Sequence, residues 1–193
     1  MSSKRLSCQT LGVMQYTDVG TGIFTISDFF SPEECAELIR VSELRAFEAA
    51  PILTPSGSKV ESNTRNNDRL VFDDRTLADK LWQRSKPHIP HELGHRTPIG
   101  LNERFRLYRY TPGQKFTWHA DVPFQRQSGE ISLLTFMIYL NESYQGGATR
   151  FESAKVVGKR GMALVFQHGL VHEGAEVTHG VKYVLRSDVM FCQ

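Results

Sequence analysis

Apolar and polar residues follow two different rhythms in this chain of 193 residues. Gly22-Ile-Phe-Thr-Ile-Ser27 reads as a short strand, and Ser31-Pro-Glu-Glu34 then gives a strong helix start. Ser31 can cap, Pro32 suits the first helical position, and Glu33 and Glu34 sit where the helix dipole favours negative charge. Cys35, Leu38, Ile39 and Val41 follow at roughly helical spacing, so a helix to about residue 45 with a core-packing stripe is expected. Residues 51–68 are rich in Pro, Ser, Gly and Asn and read as a loop or an irregular strand pair. A second helix is expected from Thr76 to Lys86, with Leu77, Leu81 and Trp82 on one face. Residues 1–22 carry weak structure signals.

After Asn102 the rhythm changes. Arg104-Phe-Arg-Leu-Tyr-Arg-Tyr110 alternates as a strand does, while Leu133–Leu140, Ala163–Phe166 and Val181–Phe191 are runs of apolar and β-branched residues. Turn residues separate them at short intervals, among them Pro112-Gly113, Gly146-Gly147 and His179-Gly180. Short strands with frequent turns indicate a β-sandwich or barrel rather than a βαβ fold. The expectation is an α+β chain in one domain over 1–193, with helical support and substrate-side loops in 1–100 and a β-barrel core in 101–193.

Composition narrows the function classes. The net charge of +2 singles out no partner, and a nucleic-acid binder would show a clustered basic excess. The three cysteines, Cys8, Cys35 and Cys192, are odd in number and far apart, which suits a reducing compartment, with the cytosol as the expectation. The N-terminus has a basic start but no apolar run of signal-peptide length, and no stretch approaches the roughly 18 apolar residues of a membrane span, so neither a signal peptide nor a transmembrane segment is expected.

The chemistry concentrates in Trp118-His-Ala-Asp121 and Gln167-His-Gly-Leu-Val-His-Glu-Gly174. On a strand, residues i and i+2 share a face, so His119 and Asp121 can reach one metal ion. His172, directly after a buried strand, is the expected third ligand. Two imidazoles and one carboxylate suit iron(II), because they leave positions open for a cosubstrate and oxygen. Ten residues on, Lys182 lies inside the final strand, where a buried cation is costly unless it meets an anion. Taken alone, each histidine reads as structural or exposed. His168 is a rival ligand, read as a loop residue or one behind the ligands, and His179 reads as an exposed turn residue. Arg65, Arg69 and Arg75 form a basic cluster that reads as a solvated loop or, alternatively, a substrate-facing one.

The order of several blocks resembles the prolyl 4-hydroxylase-like branch of the iron(II)/2-oxoglutarate-dependent dioxygenases. The blocks are Tyr110-Thr-Pro-Gly-Gln114, His119-Ala-Asp121, Tyr139-Leu-Asn141, Gly146-Gly-Ala-Thr149 with Phe151, Gly161–Phe166, His172-Glu-Gly174 and Gly180-Val-Lys-Tyr-Val-Leu-Arg-Ser-Asp188, covering about residues 101–191. The resemblance implies a double-stranded β-helix (a jelly-roll or cupin-like barrel) and Fe(II) held by His119, Asp121 and His172. It also implies 2-oxoglutarate and O2 as cosubstrates, with ascorbate as a candidate reductant. By the same resemblance Lys182 binds the distal carboxylate of 2-oxoglutarate, helped by Tyr110, Thr149 and Tyr139. Arg186 shares the Lys182 face and can bind the cosubstrate, contact substrate or replace Lys182. The implied reaction is hydroxylation of an amino-acid residue such as proline in a peptide or protein, with a small-molecule substrate open, and no nucleic-acid or membrane partner.

Two other readings compete. His91-Glu-Leu-Gly-His95 matches the HExxH pattern of zinc proteases, which needs both histidines on one helical face. Pro87, Pro90, Gly94 and Pro98 argue against such a helix. A non-catalytic cupin-like metal-binding module could use the same barrel and histidines but would not need Lys182, Tyr110 and Thr149.

Overall fold

The computed structural model of the protein describes residues 13–54, 57–61 and 63–193. Cys8 and the rest of the first stretch lie outside them. Its principal elements are β1 (Gln15–Gly20), β2 (Ile23–Ser27), α1 (Pro32–Glu43), β3 (Asp68–Asp73), α2 (Arg75–Ser85), β4 (Thr97–Leu101) and β5 (Arg104–Tyr110). β6 (Phe116–His119), β7 (Ile131–Tyr139), β8 (Thr149–Phe151), β9 (Ala163–Gln167), β10 (His172–Gly174) and β11 (Lys182–Cys192) follow.

The described residues are mostly β-sheet with two α-helices. A nine-stranded antiparallel sheet runs β1-β2-β9-β7-β11-β5-β3 and ends on the short strand Glu48–Ala49, and β4 also pairs with β11. A smaller sheet runs Lys155–Val156, β8, β10, β6, and a two-stranded ribbon joins Tyr144–Gly146 to Val177–Gly180. Residues 52–59 form the irregular strand pair expected from their composition.

Strand alternation divides the large sheet into two faces. Phe105, Leu107, Phe136, Ile138, Val165, Leu185 and Val189 point to one side and pack with Cys35, Leu81 and Trp82 of the helices. Tyr108, Tyr110, Tyr139, Leu164, Phe166 and Val184 point to the other, where they meet Phe151, Val156 and Val177 of the small sheets. The second layer is where the polar residues of interest lie.

Both helices start as their sequences dictate. In α1 the Ser31 hydroxyl accepts from Glu34 N at 3.2 Å while Ser31 N donates to the Glu34 carboxylate at 3.0 Å, a reciprocal cap worth about 1 kcal/mol. Glu34 also accepts from Arg84 of α2 at 2.8 Å, and this charge-assisted bond holds its carboxyl down at about 2. The two helices are thereby pinned to each other on one face of the large sheet.

The large sheet reaches further back than the strands expected after residue 101. β1, β2, β3 and β4 all belong to it. β1 lies at an edge and is largely exposed, so its sequence shows no apolar alternation. β4 contains Pro98 and Gly100 and tolerates them because it pairs only with the end of β11. Among the described residues no helix is long and apolar enough to cross a membrane.

Candidate metal centre

Among the described residues, His119, Asp121 and His172 are the group whose ligand atoms could hold a metal ion, lying within 4.8 Å of one another. His172 sits directly across the small sheet from His119 in the antiparallel register of β10 and β6, which brings the rings to 4.2 Å between centroids. Asp121 lies just past the end of β6 rather than on it, so the approach of His119 and Asp121 depends on the turn out of the strand as well as on alternation. His119 Nε2 is 3.8 Å from Asp121 Oδ1, and His172 Nε2 is 3.7 Å from Asp121 Oδ2.

The outer nitrogens of both rings are already used. His119 Nδ1 lies 2.7 Å from Thr117 O, and His172 Nδ1 lies 2.9 Å from Leu170 O. Since a carbonyl only accepts, each Nδ1 donates and each neutral ring turns its Nε2 lone pair toward Asp121. Burial pushes His119 down to about 4 and lowers His172, each aided by a neighbouring positive charge. Asp121 is 8% exposed. Burial opposes its ionisation, but Arg186, His172 and the Thr135 hydroxyl at 2.5 Å outweigh burial and hold it well below the usual carboxylate range. Two neutral imidazoles and an ionised carboxylate are the protonation states that a divalent cation needs. The donor set therefore fits such a metal.

A cavity of about 40 Å³ opens from this cluster into the second layer, lined by Tyr110, Thr149, Lys182, Phe166, Val184 and Arg186 among others. Lys182, 2% exposed, pairs across β11 and β5 with Tyr110 and donates to Gly147 O at 2.6 Å. Among the described residues no carboxylate meets it, and burial pushes its amine down to about 7. Tyr139 and Thr149 hydrogen-bond to each other at 2.7 Å on the wall of the same layer. Burial raises the Tyr110 phenol to about 12 and Tyr139 further, so both are neutral hydroxyls.

Arg186 occupies a different position from Lys182. Its Nη1 lies 3.0 Å from Asp121 Oδ1, and its Nη2 lies 3.2 Å from Asp188 Oδ1. Both carboxylates are buried, so the guanidinium is matched where it stands. His168 is also buried, 3.5 Å from Asp188, and takes no place in the three-residue cluster.

The HExxH reading is overturned. His91–His95 is a turn, not a helix, with Gly94 at φ +58° and His95 at φ +57°. His95 is fully exposed and lies 3.3 Å from Glu92 rather than facing His91 across a helix. The prolines and Gly94 prevent the i, i+4 face.

The sequence reading missed several contributors. Thr135 bonds Asp121, Phe116 stacks on His119 at 3.4 Å between centroids, and Asp188 balances Arg186. Their only sequence signal is strand alternation, which assigns no partner. Of the basic cluster, Arg75 is exposed, whereas Arg65 and Arg69 line a groove of about 410 Å³ beside His119 and Asp121.

Comparison with known proteins agrees with this geometry. The family model of the 2OG-Fe(II) oxygenase superfamily matches residues 105–187. Prolyl 4-hydroxylase 1 of Arabidopsis thaliana is 25% identical over 135 residues, covering 68% of this chain and 47% of that protein. The chain thus spans about half the length of this curated relative. The crystal structure of a viral collagen prolyl hydroxylase from Paramecium Bursaria Chlorella virus-1, as a 2OG complex, superposes with a TM-score of 0.65 at 19% identity, covering 90% of this chain and 98% of that one. A prolyl hydroxylase from Trichoplax adhaerens, in complex with a hypoxia inducible factor peptide fragment, gives a TM-score of 0.66 at 15% identity, covering 87% and 83%.

Proposed function

We propose that the chain is a prolyl 4-hydroxylase-like 2OG-Fe(II) oxygenase that hydroxylates an amino-acid residue, such as proline, in a peptide or protein. The reaction consumes 2-oxoglutarate and oxygen, and its barrel is a double-stranded β-helix filling one domain. The observation that carries this reading is Lys182, a buried basic side chain that meets no carboxylate among the described residues, in the same cavity as His119, Asp121 and His172. A module that only bound metal would have no use for that charge.

His119, Asp121 and His172 would hold the iron. Bound iron(II), with 2-oxoglutarate and oxygen, supplies the oxidising chemistry: one oxygen atom enters a substrate C–H bond, and the other leaves in succinate as carbon dioxide is released. The chain's own residues set the conditions for it. Thr117 O and Leu170 O fix both imidazoles as Nδ1–H tautomers, so Nε2 stays free. Arg186 and Thr135 keep Asp121 ionised and limit its rotation. Lys182 receives the distal carboxylate of 2-oxoglutarate, and the Tyr110 and Thr149 hydroxyls line the same cavity to donate to it, while Tyr139 stands behind that lining and acts through its hydrogen bond to Thr149. Met137, Phe166 and Val184 line the space between and exclude water, which strengthens the ion pair.

Arg186 is the weaker candidate for the anchor, because Asp121 and Asp188 already satisfy its charge. It acts as a positioning residue for the carboxylate ligand. The peptide held by the Trichoplax adhaerens neighbour supports a peptide substrate, and the groove of about 410 Å³ outside the cluster has room for one.

The test is to load the protein with iron(II) and supply 2-oxoglutarate, ascorbate and proline-containing peptides. Succinate should form, and mass spectrometry should find a peptide gaining one oxygen atom. If the protein binds metal but neither binds nor consumes 2-oxoglutarate, the cupin-like binding module is the better reading.

A further inference from the structure

Arg65 lies in the groove outside the metal cluster and is 7% exposed. The other three arginines lining that groove each meet a carboxylate: Arg69 with Glu48 at 2.9 Å, Arg106 with Asp188 at 3.3 Å, and Arg186 with Asp121 and Asp188. Arg65 meets none among the described residues. Its Nε donates to Asn67 Oδ1 at 2.8 Å and its Nη1 approaches Pro51 O at 3.5 Å, while its Nη2 is buried with no partner. The four guanidiniums are matched by three carboxylates, which leaves one positive charge uncompensated on the substrate side of the cluster.

The guanidinium is held in place rather than left to wander. It stacks between Tyr108 and Phe116, with its carbon 4.6 and 4.4 Å from their ring centroids. Arg65 bridges to Phe116 in antiparallel fashion, Thr117 N donates to Thr64 O at 2.9 Å, and Lys115 N donates to Asn66 Oδ1 at 2.7 Å. The loop carrying Arg65 is thus stitched to β6, the strand that carries His119. Phe116 stacks on His119 as well, so one ring links the guanidinium to the metal cluster.

Packing alone does not account for an arginine here. An apolar side chain of similar length would fill the space between two aromatic rings without desolvating a charge or leaving an N–H unpaired. A guanidinium fork is suited to a planar carboxylate, and a single uncompensated charge calls for a monoanion rather than a phosphate dianion. We propose that Arg65 receives a carboxylate carried by the primary substrate, next to the carbon that is presented to the metal centre. This rests on the hydroxylase reading for the identity of the second ligand as a substrate. The substrate class is then a carboxylic acid: a free amino-acid-like acid, or a peptide with an acidic group beside the oxidised residue. The apolar part of the groove, with Ile52, Tyr108 and Phe124, is suited to the body of such a molecule.

The experiment uses zinc-loaded protein with 2-oxoglutarate present, so that nothing turns over and Lys182 is occupied. Phenylacetate and phenylacetamide are titrated by ligand-observed NMR. Phenylacetate should bind about tenfold more tightly than the amide, the scale of one charge-assisted hydrogen-bonded contact. Arg65→Gln should erase that preference and Arg65→Lys should keep part of it, with the thermal shift caused by 2-oxoglutarate reporting that each variant is folded. Equal binding of the two probes, binding of neither, or a preference that survives Arg65→Gln overturns the proposal. If 2-oxoglutarate itself produces no shift in the unaltered protein, the hydroxylase reading fails instead, while the acid-over-amide comparison is still read on the zinc-loaded protein. With iron, succinate release then separates the sources: N-acetylproline represents the free acid, and an end-capped peptide with glutamate beside proline represents the acidic peptide. Faster release with the matched neutral peptide than with either acid also overturns the proposal.

Discussion

Lys182→Met should stabilise the ligand-free protein while abolishing its response to 2-oxoglutarate. The amine is pushed from 10.5 down to about 7 by burial alone. At about 1.4 kcal/mol per pKa step, carrying the charge in the fold costs on the order of 5 kcal/mol more than in water. Methionine removes that cost and fills a similar volume. Loss of the hydrogen bond to Gly147 O offsets roughly 1 kcal/mol, and leaving that carbonyl unpaired offsets about 1–2 more. A net gain of roughly 2 kcal/mol remains, or about 4–8 °C in Tm for a chain of this size. In the unaltered, metal-loaded protein, 2-oxoglutarate at about a hundred times its Kd should add roughly 2.7 kcal/mol by mass action, a shift that the variant should lack. The pH dependence provides a second check. Between pH 7 and 10.5 the unfolded chain keeps a proton that the folded Lys182 has shed, so this group makes the unaltered protein more stable as pH rises through that window. The charge cost that methionine removes is therefore full below pH 7 and falls by about 1.4 kcal/mol per pH step above it, so the net gain of roughly 2 kcal/mol is gone at about pH 8.5 and methionine is the less stable choice beyond that. Thermal denaturation of both proteins from pH 6 to 10, with and without 2-oxoglutarate, measures all three effects. A variant that is less stable without ligand at pH 6–7, or that keeps the 2-oxoglutarate shift, refutes the reasoning.

Asp121→Ala should end stoichiometric metal binding and cost about 2–4 kcal/mol in urea unfolding, because Arg186 loses its 3.0 Å partner and keeps only Asp188; equimolar metal in the purified variant would count against the site. His91→Ala combined with His95→Ala should leave metal content unchanged, since both side chains are exposed, and a fall in bound metal would revive the helix-borne alternative. Gly161→Ala should destabilise by more than about 2 kcal/mol, because its φ is +80° and an added Cβ would sit 2.2 Å from Phe30 O, which only a backbone shift relieves. A neutral result in thermal unfolding would mean that the turn before β9 is far more pliant than its packing implies.

The parts that could be read along the chain are those where local rules suffice. Ser31-Pro-Glu-Glu34 states its own helix start, and α1 begins there with the full reciprocal cap. His119, Asp121 and His172 come together as their spacing suggested, although Asp121 reaches the cluster from beyond the strand end. Alternation along Lys182, Val184 and Arg186 correctly put Lys182 and Arg186 on one face. It could not say that Asp121 and Asp188 would take Arg186 and leave Lys182 free, because those pairings depend on register between strands far apart in sequence. Arg65 was indistinguishable from Arg75 in a polar loop, and only the approach of β5 and β6 buries one while leaving the other exposed. β1 escaped notice because an edge strand with solvent on it needs no apolar pattern.

β11 is the central strand of the large sheet: β7 and β5 pair along its two sides and β4 pairs with its end. It is also the last of these strands to be synthesised. Until residues 182–192 emerge, β7 and β5 have no common neighbour, and each exposes an open edge beside apolar side chains. The two halves of the core can be joined only by a segment that arrives after both have had time to pair wrongly. The same strand carries Lys182 and Arg186, so the folding step that closes the sheet also completes the cavity. A chain with a damaged β11 would thus be lost to aggregation before it could persist as a folded protein with an incomplete cavity.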